Sequence, residues 1–202
     1  MVKLNKIYTR TGDSGDTGLS DGSRISKADP LSAAIGDVDE ANCAIGIALT
    51  HIEGQAVRAI LGRIQNELFD LGADLATPGE DFAPSDTVLR IVPEQIERLE
   101  QEIDAVNEGL APLRSFILPA GGGGAAHLHL ARAIVRRAER SAVAAARGRS
   151  VPRKRNAGSL NPLALTYLNR LSDLLFVLAR RVGRAESGEV LWQPGATRAP
   201  SP

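Results

Sequence analysis

Apolar residues recur at spacings of three and four along most of this chain, the period of an amphipathic helix and not the alternation of a strand. The first such stretch follows Asp29-Pro30, a capping carboxylate and a first-turn proline that needs no N–H donor. It predicts a helix over about 30–51 with Ile35, Val38, Ala41, Ile45 and Ala48 inward. Val57, Ile60, Leu61, Ile64, Leu68, Leu71 and Leu75 predict a second over about 55–76, stopped by Thr77-Pro78-Gly79, with a polar surface loop to about 90. Pro93-Glu94 opens a third on Ile96, Leu99, Ile103 and Val106, ending near Gly109. After the short apolar run Ser115 to Pro119, the glycines at 121–124 break regular structure. They open a fourth helix over about 125–148 on Leu128, Ala131, Val135, Ala138 and Ala142. Leu165, Leu168, Leu171, Leu175, Leu178 and Val182 give a fifth over about 162–184. The expected fold is all-α, an antiparallel five-helix bundle in a single domain over 1–202: an extended N-terminal segment at 1–29, the bundle at 30–184, and a tail at 185–202. Residues 148–161 read as a mobile connection, and the tail as ordered where Val190, Leu191 and Trp192 dock.

Composition narrows the class. Aromatics make up 3% of 202 residues while alanine occurs 29 times, which disfavours a sandwich or barrel and suits helices packed at small residues. No apolar run reaches the roughly 18 residues of a membrane span, and MVKLNKIYTR carries no signal-peptide core, so a cytoplasmic protein without a membrane partner is expected. The single cysteine, Cys43, excludes an internal disulfide and a clustered-cysteine zinc site; among small apolar neighbours it reads as a core residue. His51, His127 and His129 form no metal-ligand pattern, so no metal bound by the protein alone is expected.

The formal net charge of zero hides an asymmetry: residues 28–110 hold 17 acids and 4 bases, a balance of −13, and residues 121–184 hold 13 bases and 2 acids, a balance of +11. Such halves neutralise each other within a fold or across an interface, or the basic half grips an anion. With 20 arginines to 4 lysines, bidentate phosphate contacts are available. A nucleic acid is not the expected anion, because stacking aromatics and finger or zipper patterns are missing.

On helix four, Arg132, Arg136 and Glu139 share a face, with Arg140 one position around and Arg137 between them. Helix five carries Asn169, Asp173, Phe176 and Arg180 as a row apart from its leucines. Two readings stand for these rows: a solvated face with an Arg–Asp pair, or a preorganised anion site. On helix one, Asp37, Asp39 and Glu40 read either as an acidic first turn complementing the helix dipole or as acid–base groups. Residues 9–27, TRTGDSGDTGLSDGSRISK, hold four glycines and seven Ser/Thr, too little apolar surface to bury a strand or helix. Converging amides, hydroxyls and the charges of Arg10, Arg24 and Lys27 would suit phosphate, although no Walker A motif is present. The residues alone leave a phosphate loop and a flexible tail equally open.

That segment resembles the N-terminal signature of the PduO-type ATP:cob(I)alamin adenosyltransferases, T-[RK]-x-G-D-x-G-x-T-x-L-x-x-G-x-R-x-x-K, with every fixed position present. Gly36 to Asn42 matches the family's G-x-x-D-E-x-N stretch. FDLGADLATP at 69–78, SFILPAGG at 115–122, ARAIVRRAER at 131–140 and LNRLSDLLF at 168–176 follow in order, so the resemblance runs from about 5 to 193. The chain departs from the pattern at Ala41, at Ala120 and in a longer 148–161 connection.

The resemblance implies a five-helix bundle forming a homotrimer with active sites between subunits. It gives Thr9, Arg10, Thr11, Gly12, Thr17 and Lys27 the wrapping of the ATP phosphates with Mg²⁺, and Arg136, Arg137, Glu139, Arg140 and Asn169 the rest of the nucleotide site. It makes Asp39 and Arg132 a pair bridging the subunit boundary beside the corrin ring, and Phe116 the aromatic lining the lower face of cobalamin. The implied reaction is attack of Co(I) on the 5′ carbon of ATP, releasing triphosphate and forming adenosylcobalamin. A reductase would supply Co(I) and a B12-dependent enzyme would accept the product. Co(I) is a strong nucleophile, so positioning and charge stabilisation replace a general base. The chain lacks D-x-H-x-x-G, the motif that supplies a histidine to cobalt elsewhere, in keeping with a site that strips axial ligands away.

Overall fold

A computed structural model describes residues 8–149 and 159–198. Five helices dominate it: α1 (Pro30–Leu49), α2 (Gln55–Leu75), α3 (Pro93–Glu108), α4 (Gly123–Arg149) and α5 (Pro162–Glu186). The expected all-α bundle is present, and the helix bounds fall within two residues of those the periodicity predicts. Asp29 accepts from the Leu31 amide at 2.9 Å and Asn161 caps α5 by accepting from Leu163 at 3.0 Å, each beside a first-turn proline. At α3 the Gln95 side chain reaches back to accept from the Val92 amide at 3.0 Å.

Helix α1 packs chiefly on α4, α4 on α5, α5 on α3, and α2 on α1 and α5. The predicted stripes form one apolar cluster, with Leu61, Leu71, Leu99, Leu128, Leu168 and Leu175 fully buried in it. Polar networks staple its edges. Asp74 pairs with Arg90 at 2.7 Å and also accepts from the Ile91 amide and Asn161, joining the end of α2, the segment before α3 and the cap of α5. The hydroxyl of buried Tyr167 donates to Glu67 at 2.7 Å, and burial followed by that neighbouring carboxylate pushes it well above the usual phenol range.

Three expectations are corrected. Residues 9–27 do contain regular structure, a hairpin of β1 (Asp16–Gly18) and β2 (Arg24–Ser26) with Thr17 opposite Ile25. Its ladder and loop bonds hold it with only Leu19 and Ile25 packed against the core, so order here comes from hydrogen bonding and not from burial. Cys43 is exposed, because Ala41, Asn42, Ala44 and Ile45 take the inward positions and turn it, with Ile47, outward. The acids of α1 lie beyond its first turn, which contains none, and two of them pair across helices instead. The 148–161 connection lies for the most part, at 150–158, outside the described residues. Val190 to Trp192 dock as expected: Leu118 and Val190 share a 2.8 Å backbone bond, as do Trp192 and Phe116, around an Ile117–Leu191 bridge.

Candidate functional site

The N-terminal loop is held by its own cations. Lys27 Nζ donates to the Gly12 carbonyl at 2.8 Å, and Arg24 Nη2 to the Thr11 carbonyl at 2.7 Å and the Asp16 carbonyl at 3.3 Å. A Cβ at Gly12 would stand 3.1 Å from Lys27 Nζ, so any larger residue would press on this approach. Arg10 adopts φ 61° and lies over the Tyr8 ring, while the Thr9 and Thr11 hydroxyls share a 2.8 Å hydrogen bond. A left-handed non-glycine residue is uncommon enough to mark a loop with a specific shape. The hairpin is anchored to the end of α2, where Ser20 donates its hydroxyl to the Ala76 carbonyl at 2.8 Å and meets the Thr77 hydroxyl at 2.6 Å. The sequence pattern gave no sign of this anchor, since Ser20 lies 56 and 57 residues from the two groups it meets.

The second set lies on α4 and α5, which pack together and bring part of the two rows into contact. Asn169 donates to Glu139 at 3.0 Å, Arg136 reaches the Ser172 hydroxyl at 3.5 Å, and the Arg132 guanidinium lies 5.9 Å over the Phe176 ring. Arg132 Nε is buried without a hydrogen-bond partner, and burial, then the nearby Arg136, lowers its pKa. His129, one turn earlier, is 3% exposed, and burial and then Arg132 keep it below the usual imidazole range. Arg140 is exposed and donates to the Arg136 carbonyl at 2.9 Å.

Arg137 departs from the row. It faces α1, where it binds Asp37 at 3.1 Å and makes a short contact to Glu40, while Ser141 also donates to Asp37 at 2.6 Å. With Arg170 on Glu100, these pairs join the acidic and basic halves of the chain inside the fold. Asp173 is exposed, so the Arg–Asp reading of α5 finds no support in the described contacts. Arg180 leaves the row altogether, turning towards Glu189 and Ala111.

Asp39 is exposed on α1 and makes no ion pair among the described residues. Phe116 is 77% exposed at the tip of the 115–118 segment and meets the Trp192 ring at 6.0 Å. Among the described residues no group of three His, Cys, Asp or Glu side chains could hold a metal ion. His51 and His127 stack on each other at 4.5 Å instead.

A helical bundle with a cation-pinned, hydroxyl-bearing loop and a separate arginine row carries the kind of donors that phosphate oxygens take. The model of the family described as cobalamin adenosyltransferase matches residues 7–182. A corrinoid adenosyltransferase of Mycobacterium tuberculosis is 50% identical over 202 residues, 99% of each chain. A PduO-type ATP:corrinoid adenosyltransferase from Lactobacillus reuteri, solved as a Phe-to-His variant with cobalamin and ATP, has TM-score 0.79 and 36% identity over 94% of this chain and 97% of that one. An Arg-to-Lys variant of the L. reuteri protein with ATP has TM-score 0.78 and 35% identity over 93% and 100%. The chain belongs to the cobalamin adenosyltransferase family.

Proposed function

We propose that the loop and the α4–α5 row are the two sides of one site for ATP-dependent adenosylation of cobalamin, completed between copies of this chain. The activity itself is that of the family: the 5′-deoxyadenosyl group of ATP passes to cob(I)alamin, triphosphate leaves and adenosylcobalamin forms. The observation that carries the site assignment is the α4–α5 row, in which Asn169 fixes Glu139 and Ser172 steadies Arg136, leaving guanidinium donors on an exposed helix face. Fixed cationic donors need no reorganisation as charge gathers on a departing triphosphate.

In this reading Thr9, Arg10, Thr11, Gly12, Thr17 and Lys27 wrap the phosphates, Arg136, Arg140, Glu139 and Asn169 hold the rest of the nucleotide, and Arg137 steadies α4 through α1. The hydroxyls of Thr9 and Thr11 are hard oxygen donors of the kind that would hold the Mg²⁺ accompanying ATP without a dedicated carboxylate cage, and that ion would supply charge neutralisation. Asp39, exposed and without an ion pair among the described residues, and Arg132, whose Nε has no hydrogen-bond partner among them, are complementary across a subunit boundary in a homotrimer. Phe116, exposed at a loop tip, offers an apolar surface to the lower face of the corrin and keeps water and base ligands from cobalt. Reduction to Co(I) is then easier. A reductase and a B12-dependent acceptor enzyme in the cytoplasm complete the scheme.

Anaerobic incubation with reduced cobalamin, ATP and Mg²⁺, followed spectrally, tests it. Adenosylcobalamin is expected to accumulate. Folded protein that binds adenosylcobalamin without making any would instead be a carrier.

A further inference from the structure

Arg180 is a buried cation that the site described above does not use. It is 5% exposed, and its guanidinium forks between two segments far apart in sequence. Nε donates to Glu189 Oε1 at 2.7 Å and Nη2 to the Ala111 carbonyl at 2.7 Å. Ala111 opens the segment that leads to Phe116, and Glu189 opens the tail that pairs with that segment. The pairing comprises the two backbone bonds between 116–118 and 190–192 and a 2.6 Å bond from the Ser115 hydroxyl to the Trp192 carbonyl. One planar side chain therefore ties both strands of this small ribbon to α5. A lysine has no second arm for the second partner.

We propose that Arg180, with Glu189, is a positioning residue that holds the Phe116 segment and the tail in register, and so sets where Phe116 stands against cobalamin. This rests on the assignment of Phe116 to the cobalamin side. The adenine and phosphate side rests on other elements, on the hairpin that Ser20 anchors to the end of α2 and on Asn169 and Ser172 of α5. The pairing should therefore matter to one substrate and not to the other.

The test uses the full chain as Arg180→Lys, Glu189→Gln and, as reference, Phe116→Ala. Trp192 is the only tryptophan, so its emission reports the docked tail alone. Arg180→Lys is expected to red-shift that emission and to slow adenosylation begun from Co(II) cobalamin about tenfold, the scale of one charged hydrogen bond, with ligand-bound Co(II) persisting in the spectrum. KM for ATP should stay within about twofold. Glu189→Gln, which keeps an acceptor and an uncharged isostere, should move the same readouts in the same direction by less, and it guards against a poorly folded Arg180 variant. Loosened emission with a normal Co(II) reaction overturns the proposal, as does unchanged emission, or a rise in KM for ATP that matches the loss on the cobalamin side. If Phe116→Ala itself leaves the Co(II) reaction untouched, the assignment of Phe116 fails first and the positioning role falls with it; if only the Arg180 and Glu189 variants are inert, the positioning role alone is wrong.

Discussion

Arg136 stands on an exposed face of an alanine-rich helix, and its one described side-chain bond, to Ser172, is long at 3.5 Å. Removing such a side chain costs a helix little, whereas a bidentate phosphate contact is worth about 1.5–3 kcal/mol, roughly ten- to a hundredfold in rate or affinity. Arg136→Ala is therefore expected to lose turnover or ATP affinity on that scale while its melting temperature barely moves; parent-like turnover would make the row a solvated face. His129 behaves differently. Burial lowers its pKa below the usual 6.5, so the unfolded chain binds its proton first as the pH falls. Its contribution to stability is complete above pH 6.5 and is lost as the pH falls through the lower folded value. Thermal unfolding between pH 7.5 and 5 should show this loss, and His129→Gln should flatten it. At this scale the sequence was readable where periodicity or resemblance spoke. Arg132, Arg136 and Glu139 share a face by spacing alone, but Cys43 was misjudged, and the contacts of Arg137 with Asp37 and Glu40 could not be read, because the direction of each depends on which helix packs beside it.

At the scale of elements, the start of α1 was legible because a capping carboxylate preceded a proline at Asp29, while the Asn161 cap of α5 emerged only in the structure. The glycine run before α4 was legible only as a break. Its physical reason lies far away in sequence: Glu186, at the end of α5, accepts from the Gly124 amide at 3.1 Å and the Ala125 amide at 3.4 Å, a carboxylate on a helix N-terminus. A Cβ at Gly124 would stand 2.7 Å from Glu186 Oε1 and 3.0 Å from both Ile52 Cγ1 and Val182 Cγ1. Gly124→Ala is expected to cost about 1–3 kcal/mol as overpacking, read as a lower midpoint in denaturant with an unchanged slope. A neutral substitution would mean that this junction is looser than described. The hairpin was illegible for a related reason, because its anchors on Ala76 and Thr77 are fixed by tertiary placement and not by local pattern.

For the whole molecule, the opposed charges of the two halves are partly consumed inside the chain, by Arg137 on α1 and Arg170 on Glu100. Asp39 makes no ion pair among the described residues, and the proposed site gives it and Arg132 to a contact between copies. Removing one member of a desolvated pair leaves the other charge uncompensated, at about 3–5 kcal/mol. Asp39→Asn should accordingly weaken cobalamin binding and assembly while the helices remain intact, and Asp39→Arg with Arg132→Asp should recover part of the assembly without recovering activity. Light scattering and cobalamin titration check this; an Asp39→Asn protein equal to the parent in both would contradict the pairing.

The central claim, one site built from the loop of one copy and the α4–α5 row of another, is tested most directly by mixing defects. Lys27→Ala damages the loop and Arg136→Ala the row, so each variant alone should be nearly inactive. Co-expressed in equal amounts, random assortment leaves about one interface in four with an intact loop facing an intact row, and adenosylcobalamin formation should return to about a quarter of the parent rate. Mixed assemblies no more active than either variant alone would show that loop and row do not share a site across the boundary.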